Sequence, residues 1–213
     1  MSERRGRPRD TAARRRILVA AERQLVSDGY ATMTMSGMAK EAGVAVQTLY
    51  LAYGSKVGVV SAVHDRTLAG DDATVPLLER GWMRQLASAP TVLEAWASAM
   101  EHLSSTTVGV APVHTAIQAA SADPEMGALL SDLRAQRHEF SRELATRLLA
   151  LPHARGGGVA DRVADVLYAL VGPETHDLFV IQRGWSVEEW RGWVHDAVLD
   201  ELTGSRGPAV PSP

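Results

Sequence analysis

Residues Thr34–Lys56 read TMSGMAKEAGVAVQTLYLAYGSK, and this stretch decides the architecture. Its apolar positions Met38, Ala39, Ala42, Val44 and Leu49 fall at helical spacing on either side of Gly43. The spacing predicts a short helix over Ser36–Ala42, a turn at Gly43 and a second short helix over Ala45–Leu51. A turn between crossed helices needs a residue tolerant of positive φ, and glycine takes that conformation without steric cost. Ala39 is small where the two helices must approach. The pattern is that of a helix-turn-helix, whose second helix enters the major groove of DNA. The plain structural alternative is a bundle corner with a chance glycine turn.

The flanks sharpen the reading. Ile17-Leu18-x-Ala20-Ala21 and Gly29-Tyr30 precede the stretch, and Thr48-Leu49-Tyr50-x-x-Tyr53-x-Ser55-Lys56 closes it. With Ala42-Gly43-Val44 between them, this ordered set resembles the DNA-binding domain of the tetracycline-repressor (TetR) family over Asp10–Leu68, about a quarter of the chain. Tyr168–Trp193 is also similar to the C-terminal domain of actinobacterial members. The resemblance implies an all-α chain: a three-helix N-terminal helix-turn-helix domain and a larger C-terminal helical domain for ligand binding and dimerisation. The expected organisation is a disordered basic arm over 1–9, the helix-turn-helix domain over 10–55, the helical ligand-binding and dimerisation domain over 56–203, and a disordered tail over 204–213.

Composition agrees. The 213 residues carry a net charge of −3, but unevenly. Residues 1–56 hold ten Lys/Arg against five Asp/Glu, whereas 57–213 hold twelve against twenty. A basic head on an acidic body fits a nucleic-acid module joined to a domain with another task. With no cysteine there is neither a disulfide framework nor a thiolate metal site. No apolar run reaches the length of a membrane span, and the N-terminal arginines are not followed by the apolar stretch of a secretory signal. The expected location is the cytoplasm.

The arm MSERRGRPR contains Arg5-Gly6-Arg7-Pro8, which is similar to an AT-hook. Glycine permits close approach, proline keeps the chain extended, and arginine heads suit the negative potential of a narrow minor groove. The alternative is a solvated tail adding non-specific phosphate affinity. The first helix is predicted from Asp10 or Thr11 to Asp28, with Ile17, Leu18, Ala21 and Leu25 facing inward and Gly29 at the left-handed position after its end. Thr34 caps the second helix and is counted with the DNA-facing set. Relatives often have Glu where this chain has Gly37, which would complete a capping box, and a capping residue in place of Ala45. Both departures predict softer helix starts.

The resemblance points Val46 and Gln47 at base edges. Glutamine pairs bidentately with adenine, and valine contacts a thymine methyl. By family logic the hydroxyls of Thr48 and Tyr50 reach phosphate oxygens, and Tyr53 packs the domain. Lys56 opens the fourth helix, where its ammonium and the helical N-terminus both favour a phosphate. Arg14, Arg15 and Arg16 lie near the start of the first helix, where some can touch phosphate. Ala52 stands where many relatives carry His or Tyr, which removes one backbone contact without changing the sequence read.

The fourth helix is predicted over Ser55–Leu68, and a short helix over Trp82–Ala87. A helix capped by Thr91 follows, with a break or kink at Pro112 and a further helix over Val113–Ala120. Asp123-Pro124 starts a helix running to Ala150. The last helices run from Val159 to Leu202, interrupted at Pro173 and resuming over Glu174–Arg183, then from a capping box of Ser186 and Glu189. Family members usually bind a small molecule in this domain. The candidate lining is Trp96, Met100, His114, Ile117, Gln118, Arg137, His138 and Phe179. Apolar walls with a few polar groups suit an amphipathic ligand. For any one of these residues, an ordinary core or surface role is the plainer reading. The dimer candidates are Val159, Val163, Val166, Leu167, Leu170, Trp190 and Trp193, with closure of the chain's own core as the alternative.

Catalytic signatures are missing: there is no GxSxG, no cysteine nucleophile, and no Lys-Ser/Thr after Gly156-Gly157-Gly158 to make a phosphate loop. The histidines show no HExxH or similar spacing, so no metal and no cofactor is expected. Together with these absences, the resemblance implies a non-enzymatic, homodimeric transcription regulator, a repressor released from a palindromic DNA operator by a small-molecule effector. The alternatives are a nucleoid-type architectural binder of AT-rich DNA, and a small-molecule-binding or enzymatic helical domain without operator recognition.

Overall fold

The structure, a computed structural model, describes residues 8–70, 79–155 and 160–204. Among the described residues the chain is helical and without strands. They fall into two compact units, one built from residues up to 73 together with 112–131, the other from 74–111 and 132 onward.

The first unit opens with α1 (Pro8–Asp28), which begins two residues earlier than the capping signals predict. Proline lacks an N–H that the first helical turn leaves unpaired in any case. Ile17, Leu18, Ala21 and Leu25 are buried, as their i, i+4, i+8 spacing requires. α2 (Met35–Ala42) is capped by Thr34, whose hydroxyl accepts from the Gly37 N–H at 3.0 Å. It ends at Gly43, with φ of 66°. There the Gly43 N–H donates to the Lys40 carbonyl at 3.3 Å and the Val44 N–H reaches back to the Ala39 carbonyl at 3.0 Å. This paired closure needs a left-handed residue, which explains the glycine. α3 (Val46–Tyr53) starts from Ala45 with no side-chain cap. α4 (Lys56–Ala69) is capped by Ser55, whose hydroxyl accepts from the Gly58 N–H at 3.1 Å.

Polar braces fix these helices. The Arg23 guanidinium donates two bonds of 2.6 Å to the Glu41 carboxylate, which also accepts from Gln24 at 2.8 Å, tying α1 to α2. Arg66 on α4 pairs with Glu22 on α1. Val59, Val60 and Val63 of α4 are fully buried, so this helix belongs to the core of the first unit. The unit therefore extends past 55, and it also takes in 112–131, where Val113, Ile117, Met126 and Leu130 are buried.

Two helices contribute to both units. α6 (Val92–Ala119) runs unbroken through Pro112, where the sequence predicts a break or kink. Val110, Ala111 and Val113 are buried around the proline, so packing offsets the missing N–H. α7 (Pro124–Leu149) starts as predicted, with the Asp123 carboxylate accepting from the N–H groups of Glu125 and Met126 at 3.0 and 3.3 Å.

The second unit adds α5 (Gly81–Leu86), α8 (Ala160–Leu170), α9 (Pro173–His176), a π-helical turn over Asp177–Gln182, and α10 (Val187–Thr203). The predicted helix over Glu174–Arg183 is thus a single α-turn followed by a wider one. Its core gathers Met83, Trp96, Met100, Leu144, Val163, Trp190 and Val198. The Trp96 indole N–H donates to the His195 carbonyl at 2.9 Å, and the Thr107 hydroxyl donates to the Val171 carbonyl at 2.9 Å. The Ser186–Glu189 capping box is formed.

Candidate nucleic-acid interface

α3 has one fully buried residue, Leu49. At about 3.6 residues per turn, Gln47 and Leu51 lie about 160° from Leu49, one on either side. They therefore mark the middle of the outward face. Gln47, Thr48, Tyr50, Leu51 and Ala52 are exposed, and Val46 and Tyr53 are half-buried. Tyr50 is 53% exposed and Leu51 is 89% exposed, the most open of the large apolar side chains described. The face thus offers an amide, two hydroxyls and an apolar branch to whatever the helix meets. Sequence reasoning passes over Leu51 because an apolar residue on a short helix reads as core. The signal that finds it is angular: it stands one turn beyond Gln47 and opposite Leu49.

The surroundings of α3 are held in place by groups that sequence alone assigns elsewhere. The Lys56 ammonium donates to the Tyr30 carbonyl at 3.0 Å and sits 3.7 Å from the Tyr30 ring centroid. Its charge is therefore partly engaged inside the domain, where the sequence predicts a free phosphate contact. Burial, with Asp123 and Glu125 adding to it, pushes the Tyr30 phenol upward, so that ring stays neutral beneath the ammonium. Arg16 extends from α1 to the Ala42 carbonyl, to which its Nε–H donates at 3.0 Å. It caps the end of α2 one turn before α3 begins. The Thr34 hydroxyl is occupied by its cap. Arg5 and Arg7 lie outside the described residues.

The eight candidate ligand-lining residues are divided between the two units. His114, Ile117 and Gln118 belong to the first unit and the other five to the second. Trp96, Met100 and Ile117 are fully buried core. His114 is also buried, its ring 6.3 Å from that of His64. Gln118 is exposed. Arg137 makes two bonds to Glu174 at 2.7 and 3.0 Å and lies 4.5 Å from the Tyr168 ring centroid. His138 is exposed, 3.6 Å from Asp165. Phe179 packs against Trp185 and Trp193, with ring centroids 4.7 and 4.9 Å away. Among the described residues no group of three or more His, Asp or Glu side chains can hold a metal ion.

The dimer candidates need correcting. Val163, Leu167 and Trp190 are buried in the chain's own core, so they have no surface to offer a partner. Val166 and Leu170 are half-buried, and Trp193 is 38% exposed. Val159 lies outside the described residues. The apolar surface that sequence periodicity does not mark is on the π-helical turn, where Leu178 is 46% and Ile181 67% exposed.

Two tightly turned helices on a braced three-helix frame, with the second presenting a polar and apolar face, form a helix-turn-helix, an arrangement suited to entering the major groove of DNA. Residues 17–63 match the profile of the family "Bacterial regulatory proteins, tetR family". The likeness to that family is thus carried by the N-terminal helices. No curated protein sequence matches it. Among solved structures, NalD, the secondary repressor of the MexAB-OprM multidrug efflux pump in Pseudomonas aeruginosa, shares the fold at TM-score 0.70 and 15% identity, over 93% of this chain and 100% of NalD. A Rhodococcus sp. protein assigned to the TetR-family transcriptional regulators aligns at TM-score 0.67 and 14% identity, over 90% of this chain and 98% of its own. A Saccharomonospora viridis regulator solved in complex with choline aligns at TM-score 0.63 and 20% identity, over 89% and 97% of the two chains. No helix among the described residues is long and apolar enough to cross a membrane.

Proposed function

We propose that this regulator is a repressor that binds a two-fold symmetric operator as a homodimer and is released by a small ligand in its second unit. The observation that carries the reading is the outward face of α3, where only Leu49 is buried and Gln47, Thr48 and Tyr50 stand free. Gln47 has the chemistry to read an adenine edge. Thr48, Tyr50 and a Lys56 already fixed at the start of α4 have the chemistry to hold phosphates. Val46 is half-buried and plays a lesser part. Arg5 and Arg7 add affinity from the arm.

Two half-sites require two copies. Leu178, Ile181 and Trp193 supply the exposed apolar side chains from which a second copy gains stability. The repressor role of NalD and the choline bound by the S. viridis protein support a repressor with an effector. The effector side of the reading rests on linkage. A ligand that weakens DNA binding by a given factor is itself bound more weakly by the same factor when DNA is present. Screening small amphipathic compounds, organic cations included, for a rise in melting temperature and then titrating each hit with and without operator tests this. Equal factors in the two directions support the reading. Compounds that bind tightly yet leave DNA affinity unchanged contradict it.

A further inference from the structure

We infer that Leu51 is a base-reading residue and that it reads the C5-methyl group of thymine in the major groove. The inference rests on the operator-binding reading and deepens it. Leu51 is 89% exposed on a helix eight residues long. An isolated leucine on a surface is ordinary. This one is not placed at random: it lies on the opposite side of α3 from Leu49, one turn beyond Gln47, on the face the helix-turn-helix presents to DNA. Its isobutyl group offers neither donor nor acceptor. In the major groove the one apolar feature of a base edge is the thymine methyl. Gln47 and Leu51 then form a reading pair at i and i+4, an amide suited to an adenine edge and a branched alkyl suited to a methyl. Neither Thr48 nor Tyr50 duplicates this, since both carry hydroxyls and stand about 100° from Leu49, toward the sides of the helix. Val46 stands only about 60° from Leu49, consistent with its half-buried position. The methyl-reading role therefore passes from Val46 to Leu51.

The chemistry gives a direct test, because deoxyuridine is thymidine without the methyl and pairs identically. A duplex is selected from a random library by the full chain. Each thymine of a half-site is then replaced singly by deoxyuridine, and affinity is measured for the wild-type protein and for Leu51→Ala. The wild type is expected to lose about fourfold at one or two thymines per half-site, the fold-change equivalent to the ~0.8 kcal/mol of one buried methyl-sized group. Leu51→Ala is expected to bind the thymine and deoxyuridine duplexes equally at those positions. Its circular dichroism and melting temperature should match the wild type, because the side chain is exposed. Deoxyuridine effects that persist unchanged in Leu51→Ala overturn the inference and assign the methyl contact to another residue. Wild-type affinity indifferent to deoxyuridine throughout also overturns it. Both leave the operator reading standing, whereas a library that yields no enriched duplex removes the operator reading and this inference together.

Discussion

The Lys56 ammonium is held between two parts of one residue, 3.0 Å from the carbonyl oxygen of Tyr30 and 3.7 Å from the centroid of its ring. The lysine thus joins the start of α4 to the segment that follows α1. Lys56→Ala is expected to lower stability by about 1–2 kcal/mol, from the lost hydrogen bond and cation–π contact together. It should also reduce the salt dependence of DNA binding by about one unit while weakening all sequences alike. Urea unfolding and affinity against salt concentration separate the two. A stability loss with an unchanged salt slope makes Lys56 a bracket only.

The Arg23 guanidinium and the Gln24 amide hold the Glu41 carboxyl down at about 2, from an ordinary 4.5. A depressed carboxyl contributes stability that is complete above its unfolded pKa and is lost as pH falls toward its folded one. The contribution of Glu41 is therefore intact above about pH 4.5 and disappears between there and about pH 2. Melting temperature should fall more steeply across that window for the wild type than for Glu41→Gln. Parallel curves would show that the α1–α2 brace is electrostatically idle.

Gly58 occupies the first turn of α4 against the end of α3, where a Cβ would overlap the Tyr53 carbonyl oxygen. The obstacle is backbone, so no side chain can swing aside. Gly58→Ala is expected to cost roughly 1–3 kcal/mol by overpacking, read as a lower urea midpoint. It should also weaken operator binding, because α3 must shift. A variant as stable as the wild type would mean that the junction yields freely.

How much of this was legible in the sequence depends on what each residue answers to. Thr34, Gly43 and Leu49 answer to their own helix turn, and cap, left-handed turn and buried position follow from local spacing. Pro112 reads as a break because propensity counts only the missing N–H, while the burial of its neighbours Val110, Ala111 and Val113 carries the helix through. Trp190 and Trp193 show the limit of periodicity. Both stand at helical spacing on the same helix, yet one fills the chain's own core and the other reaches solvent, and only tertiary packing separates them. Lys56 is similar: its place at a helix start is local, but the Tyr30 carbonyl that accepts its hydrogen bond lies 26 residues away.

The exposed apolar side chains of the π-helical turn carry the dimer expectation. Ile181 is 67% exposed and therefore costs little in the isolated chain when replaced. Ile181→Glu should leave the melting of each chain nearly intact and shift the protein from dimer to monomer in analytical ultracentrifugation at micromolar concentration. An unchanged dimer would place the interface elsewhere.

The central claim, that the outward face of α3 reads a specific operator, is tested most directly by selecting duplexes from a random library with the full chain and with a variant lacking residues 1–9. The account predicts one two-fold symmetric motif recovered by both proteins, with lower affinity for the truncated one. Enrichment of AT-rich duplexes without symmetry, lost on truncation, would contradict it and make the arginine arm the main DNA-binding element.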